Sequence, residues 1–179
     1  MSDLFADRLP PQNIEAEQAV LGAIFLEPAS LTLASEMLIP EDFYRAAHQK
    51  IYNVMIKLND GGKAVDLVTV TEELAAAKLL EDTGGVSYLS ELAGSVPTAA
   101  NIEYYARIVE EKSLLRRLIR TATGIAQDGY SREDEVEVLL GEAEKNILEV
   151  AQRKNAGAFH NIKDVLVRTY DNIEVMHNR

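Results

Sequence analysis

Few residues in the sequence have the types and spacing that could do chemistry. Glu174-Val-Met-His177 has the Glu-x-x-His spacing that projects two ligands from one helix face toward a di-iron centre. Such a centre needs a second motif of the same kind and glutamates from two further helices. The sequence holds only one, so metal binding is not expected. His48 falls within a helical pattern and reads as a hydrogen-bonded structural histidine rather than a catalyst, while His160 sits in a connector. Ser87 and Ser90 have no adjacent base and suit caps and turns. Neither a G-x-x-x-x-G-K-S/T phosphate loop nor a G-x-G-x-x-G turn occurs. Nothing assembles a nucleophile, a base and an oxyanion site, so the chain is expected to be neither an enzyme nor a cofactor carrier.

Charge bears next on nucleic acid, because binding a strand draws on lysine and arginine contacts to phosphates. The net charge is -11, unevenly placed: residues 1–100 carry 6 basic against 15 acidic side chains, residues 101–179 carry 12 against 14. The N-terminal body is therefore a poor strand binder. Arg116, Arg117 and Arg120 form the one basic cluster weighed for nucleic acid, and among many glutamates they are expected to lie on a solvated, salt-bridged face. With 47% hydrophobic residues the chain can build a core. It has no cysteine, no signal-peptide pattern and no apolar run long enough to span a bilayer, so a cytosolic protein without a membrane is expected.

The elements that would hold these residues are helical nearly throughout. Asn13 caps a helix from Ile14 to about Leu26, interrupted by Gly22, where a close helix contact is expected. Pro28 and Pro40 bracket a short helix around Leu31–Leu38. A third, from about Ala46 to Leu58, turns Ala47, Ile51, Val54, Met55 and Leu58 inward and stops at Asn-Asp-Gly-Gly, residues 59–62. Val65–Val68 reads as an extended connector. Thr69-Val-Thr-Glu72 reads as a capping box opening a helix through Leu80, and Ser87 as the cap of a short helix from Tyr88 to about Ala93.

After Pro97 two long helices follow, from about Ala99 to a break at Gly129 and from about Glu133 to Arg153. At about 100° per residue, Ile102, Tyr105 and Val109 lie on one side of the first. Leu114, Leu115, Leu118, Ile119, Ala122, Ile125 and Ala126 fill another arc, so the apolar face switches near Lys112 and Ser113. A helix that changes face has two neighbours. The second long helix, with Val136, Leu139, Leu140, Ala143, Ile147, Val150 and Ala151 in one stripe, completes an antiparallel hairpin. Ile119 and Ile125 at the arc's edges, and Leu148 off the stripe, are apolar residues left over for a protein–protein surface. Beyond a polar connector, Asn161 caps a last helix whose Ile162, Val165, Leu166, Thr169, Ile173 and Met176 form one face with no core of its own. That face suits a groove on another subunit. The expected architecture is all-α: a helical globular body over residues 1–98, a hairpin over 99–153, and a connector with linker helix over 154–179.

RLPPQNIEAEQAVLGAIF (8–25), FYRAAHQKIYNVM (43–55) and GGVSYLSELAGSVPTAANIEYYARIVEEKSLLRRLI (84–119), in this order and spacing, closely resemble the bacterial replicative DNA helicase of the DnaB family. FHNIKDVLVRTYDNIE (159–174) resembles that family's linker helix. The resemblance implies the N-terminal domain plus linker of a ring-shaped hexamer that unwinds DNA 5′ to 3′ with ATP. ATP, magnesium and most DNA contacts belong to a motor domain absent from this sequence. It further implies hairpins paired into a trimer-of-dimers collar, and partners in the helicase-binding C-terminal domain of primase and in a helicase loader. On that footing Tyr88, Ile119 and Ile125 are expected at the primase surface. Leu115, Leu118, Leu140, Ile147 and Leu148 are expected in hairpin packing and dimer contact. Ile162, Val165, Leu166, Ile173 and Met176 are expected in inter-subunit docking. The alternative is a stand-alone helical protein–protein adaptor.

Overall fold

The structure is a computed structural model that describes residues 8–131 and 133–153. It is all-α, with seven α-helices and no strand among the described residues. Asn13 opens α1 (Ile14–Leu26) as read, its side-chain oxygen accepting from the Ala16 N–H at 2.9 Å. Val20, Leu21, Ala23 and Ile24 are fully buried, so α1 is the centre of the globule rather than an amphipathic helix on its edge. Helix α2 (Ser30–Met37) follows Pro28 and buries Leu31 and Ala34. A 3₁₀ turn at Pro40–Asp42, which the sequence did not signal, closes when the Ile39 N–H donates to the Asp42 carboxylate at 2.8 Å.

Helix α3 (Ala46–Asp60) packs Ile51, Tyr52, Val54, Met55 and Leu58 inward, with buried His48 where half-buried Ala47 was expected. It ends at Gly61, and Gly62 takes the left-handed conformation with φ 68. Helix α4 (Leu67–Ala76) corrects the reading of its start. The capping box is Asp66 with Thr69, not Thr69 with Glu72: Asp66 Oδ1 accepts from the Thr69 N–H at 2.8 Å, and Thr69 Oγ1 from the Asp66 N–H at 3.0 Å. Asp66 wins because its short carboxylate reaches the N3 amide and leaves Leu67 and Val68 free to join the helix. The helix also stops short of Leu80, before Lys78 at φ 59. Helix α5 (Gly85–Ala93) starts after left-handed Gly84, which puts Ser87 inside the helix rather than at its cap.

Gly22 is the close contact expected of it. A Cβ there would lie 2.1 Å from Ser95 Oγ and 2.5 Å from the Leu92 carbonyl oxygen, so the glycine is what lets the end of α5 lie against α1. Helix α6 (Ile102–Ser131) runs straight through Gly129, which was expected to break it. One glycine costs about 1 kcal/mol, too little to end so long a helix. Helix α7 covers residues 136–153. The chain divides into two compact units, one up to Arg116 and one from Arg117 onward, with α6 continuous through the boundary.

Candidate interaction surface

Two side-chain groups of the first unit hold the helices in place. In one, the buried Glu17 carboxylate of α1 accepts from the Tyr44 N–H at 2.8 Å, and its other oxygen lies 2.8 Å from His48 Nδ1. His48 Nε2 is 2.5 Å from the Tyr88 hydroxyl, which also accepts from Gln18 Nε2 at 3.2 Å. Every donor is used when Tyr88 donates to Nε2 and His48 donates from Nδ1 to Glu17. His48 is thus the structural histidine that the sequence suggested, tying α1, α3 and α5 together. Tyr88, half-buried, stacks its ring parallel to the imidazole with centroids 5.9 Å apart.

The second group corrects the reading of the arginine cluster. Arg116 is 7% exposed and lies on no solvated face. Its Nη1 donates to the Pro11 carbonyl at 2.8 Å and its Nη2 to the Asp42 carbonyl at 2.6 Å. Ser113, one turn earlier and also buried, donates to Asp42 Oδ1 at 2.7 Å. The signal was legible: Ile102, Ala106 and Val109 step along α6 at intervals of four and three, and Ser113 and Arg116 continue the same steps. The inward face does not stop near Ser113. It turns polar there and finds polar partners.

The apolar surface lies along α6, from Leu114 onward, and along α7. On α6, Leu114, Arg117, Thr121, Gly124 and Ile125 are half-buried, and on α7 so are Leu139, Ala143, Asn146 and Val150. Apart from the adjacent pair Gly124 and Ile125, both sets repeat at intervals of three or four, the spacing of one helix face. Ile125 also lines a shallow groove of about 480 Å³ with Val136, Leu139, Leu140 and Ala143. A second face of each helix stays in water. Leu115, Leu118 (45% exposed) and Ile119 form it on α6; Val136, Leu140 (64% exposed) and Ile147 form it on α7, with Leu148 exposed off to the side. Each helix therefore presents one half-buried row, mixed in polarity on α6, and one exposed apolar row.

Of the residues expected at a primase surface, Ile119 lies in the uncovered row, and Ile125, about 120° round the same helix, lies in the groove. Tyr88 belongs to the first unit. Leu115, Leu118, Leu140, Ile147 and Leu148 are all exposed. Ile162, Val165, Leu166, Ile173 and Met176, with Glu174 and His177, lie outside the described residues. Among the described residues no group of three or more metal-ligating side chains forms, and no helix is long and apolar enough to cross a membrane.

The described residues form an all-α fold with exposed apolar residues along α6 and α7, and known proteins share it. The DnaB-like helicase N terminal domain matches residues 9–111. The chain is 76% identical over its full length to the replicative DNA helicase DnaC of Bacillus subtilis, of which it covers 39%. It superposes on the N-terminal domain of the DnaB helicase of Mycobacterium tuberculosis with a TM-score of 0.76 at 43% identity, covering 79% of this chain and 99% of that one. A DnaB-like replicative helicase, solved in a study of its interactions with primase, aligns with a TM-score of 0.65 at 31% identity, over 90% of this chain and 35% of that one. This chain belongs to the DnaB helicase N-terminal domain family. It spans about two fifths of the length of the curated relatives it matches.

Proposed function

We propose that this chain is the assembly and primase-recruiting part of a hexameric replicative helicase of the bacterial cytoplasm. In the relatives, the remaining three fifths of the length lie outside the matched region. ATP hydrolysis with magnesium, DNA gripping and 5′ to 3′ unwinding at the replication fork belong to a motor domain in that remainder. The observation that carries the proposal is the exposed apolar face of the two long helices. Leu115, Leu118, Leu140, Ile147 and Leu148 are exposed beside a separate half-buried row on each helix. Paired with the same rows of a second copy they close a helical bundle, and three such pairs make a trimer-of-dimers collar.

The helicase-binding C-terminal domain of primase then docks on the collar through Tyr88, Ile119 and Ile125, and a helicase loader is a further partner. The 154–179 segment acts as connector and linker helix between subunits, with 1–98 as body and 99–153 as hairpin. Support for a primase partner comes from the DnaB-like neighbour solved with attention to its primase interactions. The test is calorimetric titration of this chain with the cognate primase's C-terminal domain. Saturable binding, weakened by Ile119→Ala or Ile125→Ala with unchanged thermal unfolding, is expected. A folded chain that binds primase equally well with both substitutions refutes this placement of the surface.

A further inference from the structure

Most of the buried residues are apolar, but the place where α6 passes from the first unit to its exposed portion is held by polar groups. We propose that Arg116 and Ser113 are positioning residues. They clamp α6 to Pro11 and to the Asp42 turn on one side, so that the other side, Leu115 and Leu118, is presented in a fixed rotation as a docking row. This rests on the reading of that row as the self-association surface.

Three observations carry the clamp. Arg116 spends its guanidinium fork on two backbone carbonyls far apart in sequence, Pro11 and Asp42, at 2.8 and 2.6 Å. A planar fork with two fixed acceptors leaves a helix little freedom to roll about its axis, which an apolar contact would permit. Ser113 donates to the carboxylate of the same Asp42, whose other oxygen closes the 39–42 turn, so the receiving loop is itself braced. The Arg116 guanidinium also lies 5.6 Å from the centre of the Tyr44 ring. Finally, on a helix of about 100° per residue, the midpoint of Ser113 and Arg116 lies roughly 160° round the axis from the midpoint of Leu115 and Leu118. The held side and the offered side are thus nearly opposite, within two turns of one helix. An apolar side chain of similar volume would fill the Arg116 site, at the cost of the two donors to the Pro11 and Asp42 carbonyls. What it would not reproduce is the fixed rotation.

The test uses the full chain and four variants: Arg116→Met, Arg116→Lys, Ser113→Ala and, as a control on the row itself, Leu118→Asp. Self-association is read by sedimentation velocity, the clamp by hydrogen exchange of the amides from Val109 to Ile119, and folding by circular dichroism. Arg116→Met is expected to keep the helical spectrum, to speed exchange in that stretch, and to weaken association about tenfold. Arg116→Lys, which can reach one carbonyl but not fork to both, is expected to fall in between. Leu118→Asp is expected to lose association without faster exchange. Normal association by Leu118→Asp would refute the self-association reading. Loss in Leu118→Asp with wild-type association in Arg116→Met would overturn the clamp and leave that reading intact. Should Arg116→Met fail to fold, Ser113→Ala decides in its place: faster exchange with weaker association supports the clamp, and faster exchange with unchanged association overturns it.

Discussion

Replacing Gly22 by alanine sets two effects of opposite sign against each other. In an open helix, alanine in place of glycine gains about 1 kcal/mol from the narrower unfolded ensemble and better propensity. At Gly22 the new methyl would meet Ser95 Oγ at 2.1 Å and the Leu92 carbonyl oxygen at 2.5 Å. Ser95 can swing away, but only by giving up the one hydrogen bond its hydroxyl donates, with the carbonyls of Leu92 at 2.7 Å and Gln18 at 3.2 Å in reach, which contributes about 1 kcal/mol net. The Leu92 oxygen is backbone at the end of α5 and cannot leave without moving the helix. Overpacking of this kind costs about 1–3 kcal/mol. The losses exceed the gain, so Gly22→Ala is expected to destabilise by about 1–3 kcal/mol, lowering the urea midpoint by about 1 M at constant slope. Gly124→Ala on α6, where a Cβ meets nothing within 4 Å, supplies the opposite sign: stabilisation of up to about 1 kcal/mol. Equal stabilisation by both substitutions would refute the close α1–α5 approach.

Glu17→Ala strips the carboxylate from His48 and from the Tyr44 and Arg45 amides, and is expected to cost about 1–3 kcal/mol in chemical unfolding for each buried donor left unpaired. Burial first, and the Asp42 carboxylate second, push the Tyr52 hydroxyl well above its ordinary value of 10.0. Because the folded state holds this proton more tightly, its contribution is complete below that value and is lost as the pH rises above it. Tyr52→Phe is therefore expected to flatten the alkaline fall of the thermal midpoint, at the cost of about 1 kcal/mol near neutrality for the lost bond to the Leu38 carbonyl. Since Arg116 is committed to carbonyls, fluorescence anisotropy is expected to show no single-strand binding at 0.15 M salt, a value near physiological ionic strength.

Helix positions were legible wherever local chemistry decides them: Asn13 before α1, the glycines after α3, and the three-and-four spacing that carries α6 and α7. The reading failed where a choice depended on more than one neighbour. Both Asp66 and Thr69 can cap a helix, and only the geometry of the reciprocal bonds selects Asp66. Gly129 resembles a stop, yet the helix absorbs it. Arg116 continues the inward steps of Val109 and Ser113 but looks like surface by type, and its partners, Pro11 and Asp42, are 105 and 74 positions away. No local pattern announces a carbonyl waiting at that distance. The uncovered apolar rows were the most legible part of the candidate surface, because a stripe wider than one helix can cover shows in the periodicity alone.

The central claim is that the hairpin is a protein-docking element, with primase seated at Ile119 and Ile125. The most direct measurement is a methyl-NMR titration of the isoleucine-, leucine- and valine-labelled chain with the primase C-terminal domain. The account predicts perturbations at Ile119 and Ile125, with the core methyls of Leu21, Leu74 and Leu89 unmoved. Saturable binding that leaves Ile119 and Ile125 unperturbed would contradict it.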